Sequence, residues 1–178
     1  MRMRMVGALL IGLPLLAHAA DAPEASAPVM SGDAIAAALK PAGPAAARSR
    51  GLSRRPDAAA APAPQSINLN IPFEYNSSNL KPEASEQLKQ LGRALASESL
   101  RSDRFLIAGH TDSKGNAQYN RQLSLKRAEA VRRFLVASGV EAGRLDTVGY
   151  GSEHPLLPEQ PEAASNRRVE IQDLGAAH

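Results

Sequence analysis

The sequence predicts an α/β protein, a two-layer β-α-β-α-β-β sandwich in which a small mixed sheet carries its helices on one face. Several short stretches alternate apolar and polar residues, which is typical of half-buried strands. Two longer stretches repeat apolar residues every three or four positions, which is typical of helices that bury one face. The order of these stretches gives the predicted order of the elements, and no internal repeat interrupts it.

The first strand and the first helix of the sandwich are predicted between residues 67 and 95. Residues 67–75, INLNIPFEY, alternate apolar and polar side chains, and Pro72 among them is typical of a strand edge or a bulge. Pro82 then opens a helix, because its fixed backbone angle suits the first helical position. The apolar stripe of that helix consists of Ala84, Leu88, Leu91 and Leu95.

Three further strands and one helix complete the sandwich. The strands are predicted at residues 104–110, 144–151 and 167–173, and the helix at 117–138, where Gly139 ends it. The side chains expected to face the core from this helix and from the last strand are Ala128, Val131, Leu135, Val169 and Ile171.

The first 20 residues have the layout of a cleavable secretory signal. A basic start, MRMR, precedes the apolar run VGALLIGLPLL at 6–16 and the small-x-small pattern AHA at 17–19. The run is shorter than the roughly 20 apolar residues that a spanning helix needs, and an uncleaved membrane anchor is the alternative. We expect export, a mature chain that begins near Ala20 or Asp21, and no transmembrane segment in that mature chain.

The rest of the chain divides at a change of composition. Residues 21–66 are half alanine and proline, which predicts a linker that has little to bury. Residues 67–174 form the domain, and residues 175–178 form a short tail. We therefore expect the linker to add little to the stability of the domain.

One piece of the linker has a helical pattern. Ile35 and Leu39 are four residues apart, and Pro41 follows them as a stop signal. Residues 31–40 are thus either a short docked helix or a transient helix within a tether. The segment 21–66 is also the candidate contact for an envelope protein partner.

Charge and cysteine content exclude several classes of function. The chain has a net charge of +3, but residues 67–178 carry equal numbers of basic and acidic side chains. A neutral domain together with export argues against a nucleic-acid partner. The chain has no cysteine, which excludes disulfides, thiolate metal sites and a lipid-modified cysteine within it. Four linker arginines form either a solvated segment or a weak contact for anionic wall polymer or lipid headgroups: Arg48, Arg50, Arg54 and Arg55.

The stretch GHTDSKG, residues 109–115, places an aspartate directly after a predicted strand. Asp112 should therefore lie at the end of the sheet, before Gly115 in a turn. On the following helix Arg127 stands at the margin of the apolar stripe, so its stem can be buried while its guanidinium reaches the same end. A carboxylate and a planar cation placed in this way suit a ligand group that has both an ammonium and a carboxylate.

Spacing alone leaves two other interpretations of these charges. Asp112 could cap its turn or the following helix, and Arg127 could be a surface charge or the internal partner of Asp112. Structural ion pairs occupy such positions as readily as functional ones.

Four segments of the chain resemble, in order, the C-terminal domain of the OmpA-like family, which includes the peptidoglycan-associated lipoprotein and flagellar stator B subunits. The resemblance covers nearly all of residues 67–174, and its TD-x-x-G…YN-x-x-LS-x-x-RA block is highly specific. It implies non-covalent binding to uncrosslinked stem peptides of peptidoglycan, and no cofactor, metal or catalytic group. The segments are FEYNSSNLKPEA (73–84), GHTDSKGNAQYNRQLSLKRAEAVRRFL (109–135), GVEAGRLDTVGYGSEHPL (139–156) and NRRVEI (166–171).

The same resemblance assigns roles to individual residues. Asp112 and Arg127 match the aspartate and arginine that clamp the free amino-acid end of diaminopimelate. Asn76 matches the polar residue after the first strand, and the NRR pair, Arg167 and Arg168, is at least partly structural. The predicted peptidoglycan-binding residues are Asp112, Arg127, Asn76, Thr111, Asn120 and Leu123. The implied location is the periplasm, in association with the wall and the outer membrane.

Two other functions remain as alternatives to a binding module for the wall. One is a cell-wall hydrolase with a triad near Ser113 or Ser124, or with a metal held by His110, Asp112 and His154. The sequence has neither an HExxH nor a GxSxG motif to support it. The other is a subunit of an envelope complex in which the domain is mainly a protein-docking module.

Overall fold

The computed structural model describes residues 29–40 and 65–176. The predicted signal sequence and the arginine cluster lie outside these ranges. Within them, no helix combines the length and the apolar character that crossing a bilayer requires.

The described residues form three α-helices, four strands and two short 3-10 helices, the latter at Ala142–Arg144 and Ala164–Asn166. In chain order the helices and strands are α1 (Gly32–Leu39), β1 (Ser66–Leu69), α2 (Ala84–Ala96), β2 (Asp103–His110), α3 (Ala117–Ala137), β3 (Leu145–Gly151) and β4 (Val169–Ala176).

The four strands form one mixed sheet in the order β1-β4-β2-β3. β2 and β3 are parallel, whereas β4 is antiparallel to both of its neighbours, β1 and β2. β1, β2 and β3 therefore run in the same direction, and their carboxyl ends meet the start of β4 at one end of the sheet. We call this the loop end of the sheet.

The helices pack on one face of the sheet, as predicted. α3 lies against β2 and β3, α2 lies against α3, and α1 lies against α2 and β1. Every side chain of the predicted apolar stripes is buried, at 1 % exposure or less: Ala84, Leu88, Leu91, Leu95, Ala128, Val131, Leu135, Val169 and Ile171.

Two glycines allow α3 to approach the sheet closely. A Cβ atom at Gly109 of β2 would overlap the backbone carbonyl of Ser124, and one at Gly149 of β3 would overlap the backbone of Leu125. The buried hydroxyl of Ser124 donates to the carbonyl of Arg121 at 2.8 Å and accepts from the N–H of Gly151 at 2.9 Å. This contact fixes the first half of α3 beside the loop end of the sheet.

The first strand is shorter than predicted, because it ends at Leu69 rather than at residue 75. Pro72 has no N–H to donate to a neighbouring strand. Its carbonyl instead accepts from Lys81 at 3.1 Å, and Phe73 forms an isolated bridge with Leu80. Residues 73–80 thus form a closed loop above the end of β1.

The last strand is longer than predicted. It continues to Ala176, which pairs with Asp103 at the start of β2. The first two residues of the predicted tail, 175–178, therefore belong to the sheet.

Residues 32–39 form a docked helix, which is the first of the two alternatives for this segment, while the small effect on stability expected from the composition of residues 21–66 stays a prediction. Ile35 and Leu39 are completely buried in the main hydrophobic cluster. The hydroxyl of Ser31 caps the first turn of the helix, and the N–H groups of Met30 and Gly32 donate to side-chain amides of α2. Met30 and Ala36 also pack against the core, so the helix is held by these apolar contacts together with the hydrogen bonds to α2.

Candidate functional site

Four chain segments meet at the loop end of the sheet, and they carry the predicted site residues. The loop after β1 contains Asn76, the loop after β2 contains Asp112, and β4 begins just after Arg167. The first half of α3 lies beside them and contributes Asn120 and Arg127. The strand directions alone bring these segments together, since three strands end where the fourth begins.

Asp112 is held in place by its own loop and by a cation. Its Oδ2 atom accepts from Nη1 of Arg167 at 3.0 Å, and its Oδ1 atom accepts from the N–H of Lys114 at 3.2 Å. The side chain is 13 % exposed, so it is mostly buried but still reaches solvent. Asn116, not Asp112, caps α3, by accepting from the N–H of Tyr119.

Arg127 lies on α3 with its guanidinium half-buried against the loop after β1. Its Nε atom donates to the carbonyl of Ser77 at 2.9 Å, and its Cζ atom lies 5.0 Å from the centroid of the Phe73 ring. Burial lowers the pKa of Arg127, the nearby charge of Arg167 lowers it further, and the charge of Asp112 raises it. The charge of Arg127 therefore interacts with the charges of both Asp112 and Arg167.

Three of the charges at this end of the sheet act on one another: those of Arg127, Arg167 and Asp112. Among the described residues, the ion pair of Asp112 is with Arg167, so an internal Asp112–Arg127 pair is not what holds the site together. Arg127 is instead supported by a neutral carbonyl and an aromatic face. A ligand carboxylate would find in Arg127 a cation held by neutral groups, and a ligand ammonium would find the partly exposed side chain of Asp112.

The other predicted residues lie nearby but differ in what they can do. The amide of Asn120 is buried and donates to the carbonyls of Asp112 at 3.4 Å and Lys114 at 2.8 Å, so it fixes the aspartate loop. The Oγ1 atom of Thr111 is buried and has no hydrogen-bond partner among the described residues. Leu123 is half-buried one turn before Arg127.

Asn76 stands at the rim of the site. It is exposed and has a positive φ of 50°, a conformation that asparagine tolerates better than most residues. Its Oδ1 atom accepts from the hydroxyl of Tyr119 at 2.7 Å, which ties the loop after β1 to α3.

Two residues that organise the site were not predicted as part of it. The NRR motif indicated that Arg167 has a structural role. It did not indicate that Asp112 is its partner. Asn166 is completely buried and bonds to Leu157, Gln160 and Pro161, which shapes the connection between β3 and β4. Nothing in the sequence besides its place in that motif indicated this role.

His110 lies on the opposite side of the strand end from the helices and does not act together with Asp112. Its Nε2 atom is 3.2 Å from Oε2 of Glu170, and because a carboxylate only accepts, Nε2 carries the hydrogen. Its Nδ1 atom is buried without a partner among the described residues. Asp112 pairs with Arg167 instead, so this geometry does not supply the His110–Asp112 unit that a hydrolase would need. In the described part of the chain, no cluster of His, Asp and Glu has the geometry of a metal site.

The buried His110 predicts a loss of stability in mild acid. Burial, first, and the charge of Arg168 lower its pKa from 6.5 to about 4, although Glu170 opposes the shift and His154 adds to it slightly. Between pH 4 and pH 6.5, His110 binds a proton in the unfolded chain but not in the folded protein. The free energy of unfolding should therefore be fully retained above pH 6.5 and fall by about 3 kcal/mol as the pH drops to 4. Urea unfolding at several pH values measures this.

His110→Gln is the variant that isolates this effect, since glutamine keeps a donor for Glu170 but does not titrate. Its stability should change less between pH 6.5 and 4 than that of the wild type. His154→Gln replaces an exposed histidine that adds only slightly to the shift, so its pH dependence should stay close to that of the wild type. An unchanged pH dependence in His110→Gln would show that other groups cause the acid loss.

Comparison with known sequences places these features in a family. The OmpA family pattern matches residues 72–168. The peptidoglycan-associated lipoprotein of Pseudomonas aeruginosa is 43 % identical over 101 residues, which are 56 % of this chain and 58 % of that protein. Outer membrane porin F of Pseudomonas fluorescens is 38 % identical over 106 residues, which are 58 % of this chain and 32 % of that protein. The chain thus matches less than two thirds of the length of each of these relatives, and neither carries the name of an enzyme.

Solved structures agree with the fold. The periplasmic domain of Helicobacter pylori MotB superposes with a TM-score of 0.56 at 21 % identity, over 65 % of this chain and 85 % of that one. The OmpA-like domain of FopA1 from Francisella tularensis superposes with a TM-score of 0.54 at 20 % identity, over 66 % of this chain and 79 % of that one. At these identities the likeness establishes the architecture.

Proposed function

This chain belongs to the OmpA family, and from that premise we propose that it binds peptidoglycan non-covalently, through the diaminopimelate of the stem peptide, as an exported protein of the cell envelope. The observation that carries the proposal is the placement of Asp112 and Arg127 at the loop end of the sheet. One is a carboxylate that is partly exposed, and the other is a half-buried cation held by a neutral carbonyl and an aromatic ring. The name of the Pseudomonas relative, a peptidoglycan-associated lipoprotein, supports the same ligand.

The proposed contact uses both charges of the free end of diaminopimelate. The ammonium group donates to Asp112, whose carboxylate is already oriented by Arg167 and by the N–H of Lys114. The carboxylate accepts from the guanidinium of Arg127, whose planar fork suits a bidentate contact. Because burial has removed part of the water around Arg127, a ligand carboxylate displaces less solvent there than at an exposed arginine.

The remaining predicted residues support this contact. Asn120 holds the loop that carries Asp112, and Leu123 flanks Arg127 on the helix. The buried hydroxyl of Thr111 has no partner among the described residues, and a ligand donor or acceptor that reached it would remove the cost of leaving it unpaired. Asn76 borders the contact from the opposite loop.

The proposed location is the periplasm, with the protein attached to the wall and associated with the outer membrane. Export rests on the signal-like residues 1–20, and envelope association rests on the names of the relatives. An envelope protein that binds within residues 21–66 stays a prediction. Ile35 and Leu39 are not accessible to such a partner, because these side chains of α1 are buried in the core.

A sedimentation experiment with purified sacculi tests the proposal. The mature chain should pellet with sacculi that contain free diaminopimelate. It should pellet much less with sacculi in which that carboxylate is amidated, because the fork of Arg127 then faces a neutral group. Equal binding to both walls would contradict the assigned contact, and release of soluble muropeptides into the supernatant would favour a hydrolase.

A further inference from the structure

Tyr75 is an aromatic side chain that the fold leaves 99 % exposed beside the proposed diaminopimelate site. We propose that Tyr75 forms a second subsite, which binds the face of a glycan sugar of the same peptidoglycan ligand. This inference rests on the proposed function, because it takes the stem peptide as the anchor that brings the sugar near. It adds to that function a contact with the carbohydrate.

The loop that carries Tyr75 is well ordered by hydrogen bonds. The N–H of Glu74 donates to the carbonyl of Asn79 at 3.0 Å, and the side-chain amide of Asn79 donates to the carboxylate of Glu74 at 2.9 Å. Asn76 is tied to Tyr119 on α3 at 2.7 Å. The backbone on both sides of Tyr75 is therefore fixed, and its ring can be presented at a low cost in backbone entropy.

The same loop contacts Arg127, and this contact limits the backbone distance between Tyr75 and the proposed site. The carbonyl of Ser77 accepts from Nε of Arg127. Tyr75 precedes Ser77 by two residues, a span of at most about 7 Å of backbone. In a stem peptide, two amino acids separate diaminopimelate from the sugar, a span of about 10 Å when extended. A sugar attached to a bound peptide is thus within reach of the Tyr75 ring.

The chemistry of the side chain suits a sugar better than the charged end of the peptide. An aromatic ring has a negative face, on which the weakly positive C–H bonds of a pyranose can pack, while the phenol hydroxyl stays in water. Tyr75 has neither a carboxylate nor a cationic group with which to bind the zwitterion. As a nearly fully exposed side chain it also contributes little to the core, so replacing it should leave the fold intact.

The test compares two soluble ligands by isothermal titration calorimetry. One is the free stem tetrapeptide with diaminopimelate, and the other is the same tetrapeptide attached to its disaccharide. The wild type should bind the second ligand more tightly, and Tyr75→Ala should weaken only that ligand, by about three- to tenfold. Tyr75→Trp should retain the difference. Val136→Ala, which shortens an exposed apolar side chain on the last turns of α3, is the control and should change neither affinity.

Three outcomes would overturn the inference. The first is a wild type that binds both ligands equally. The second is a Tyr75→Ala variant that binds the disaccharide ligand as tightly as the wild type does. The third is an equal loss for both ligands, which would mean that the substitution disturbs the Arg127 loop. If the wild type binds neither ligand, the proposed function itself fails, and the glycan subsite fails with it.

Discussion

Replacing Asp112 or Arg127 by alanine is expected to remove most of the binding to sacculi and to leave the fold intact. Each change deletes one half of the proposed contact with the ammonium and carboxylate of diaminopimelate. Loss of one partner from a desolvated charge pair typically costs about 2–5 kcal/mol, a fall in affinity of roughly 30-fold to several thousand-fold. Sedimentation with sacculi measures the binding, and circular dichroism measures the fold.

Two exposed charges serve as controls for this experiment. Lys126→Ala removes an exposed cation next to Arg127, and Glu141→Ala removes an exposed carboxylate outside the site, so both should still pellet. Ser124 shares the helix face of Arg127 but is a poor control, because its hydroxyl is buried and accepts from Gly151. If both alanine variants pellet normally with a native spectrum, the role of Asp112 is only to pair with Arg167.

Removing the apolar contacts of α1 is expected to cost a large part of the stability of the domain. Leu39 is completely buried, and truncating such a side chain to alanine typically lowers the free energy of unfolding by about 2–5 kcal/mol. The decrease in the free energy of unfolding cannot exceed the docking free energy of α1, because the helix can undock from the core rather than remain bound beside a cavity. Urea unfolding of Leu39→Ala, and of a chain that begins at residue 65, measures both effects.

Val29→Ala is the matched control for Leu39→Ala. It shortens an apolar side chain of the same segment, but Val29 is 49 % exposed, so its effect should be small. A chain without α1 that unfolds at the same urea concentration as the intact protein would show that the helix is not part of the cooperative core.

The sequence predicted the elements of the fold better than their ends. The stripes of α2 and α3 were readable because large apolar residues recur there at helical spacing, and all of them are buried. β1 ends early because Pro72 has no N–H to pair, and the chain beyond it is held in a loop by the backbone bond from Lys81 to Pro72. The docking of α1 depends on a surface formed by α2 and β1, and two apolar residues in an alanine-rich segment could not specify that surface locally.

The candidate site was predictable in its position but not in its pairing. Asp112 follows a strand and Arg127 flanks an apolar stripe, so both could be placed at the same end of the sheet. That Arg167 binds Asp112 depends on β4 being inserted between β1 and β2, which brings the start of β4 beside the end of β2. Strand order is a property of the whole sheet and cannot be derived from any one segment.

The docking of α1 also sets how the chain would carry a mechanical load. Residues 41–64 join α1, which is seated on α2, to β1, which is paired with β4. A pull on the chain at residue 29 is therefore borne first by the contact between α1 and α2. Only when that contact breaks does tension pass along the chain to β1. Under force, the domain would yield at the α1–α2 contact before its sheet is strained.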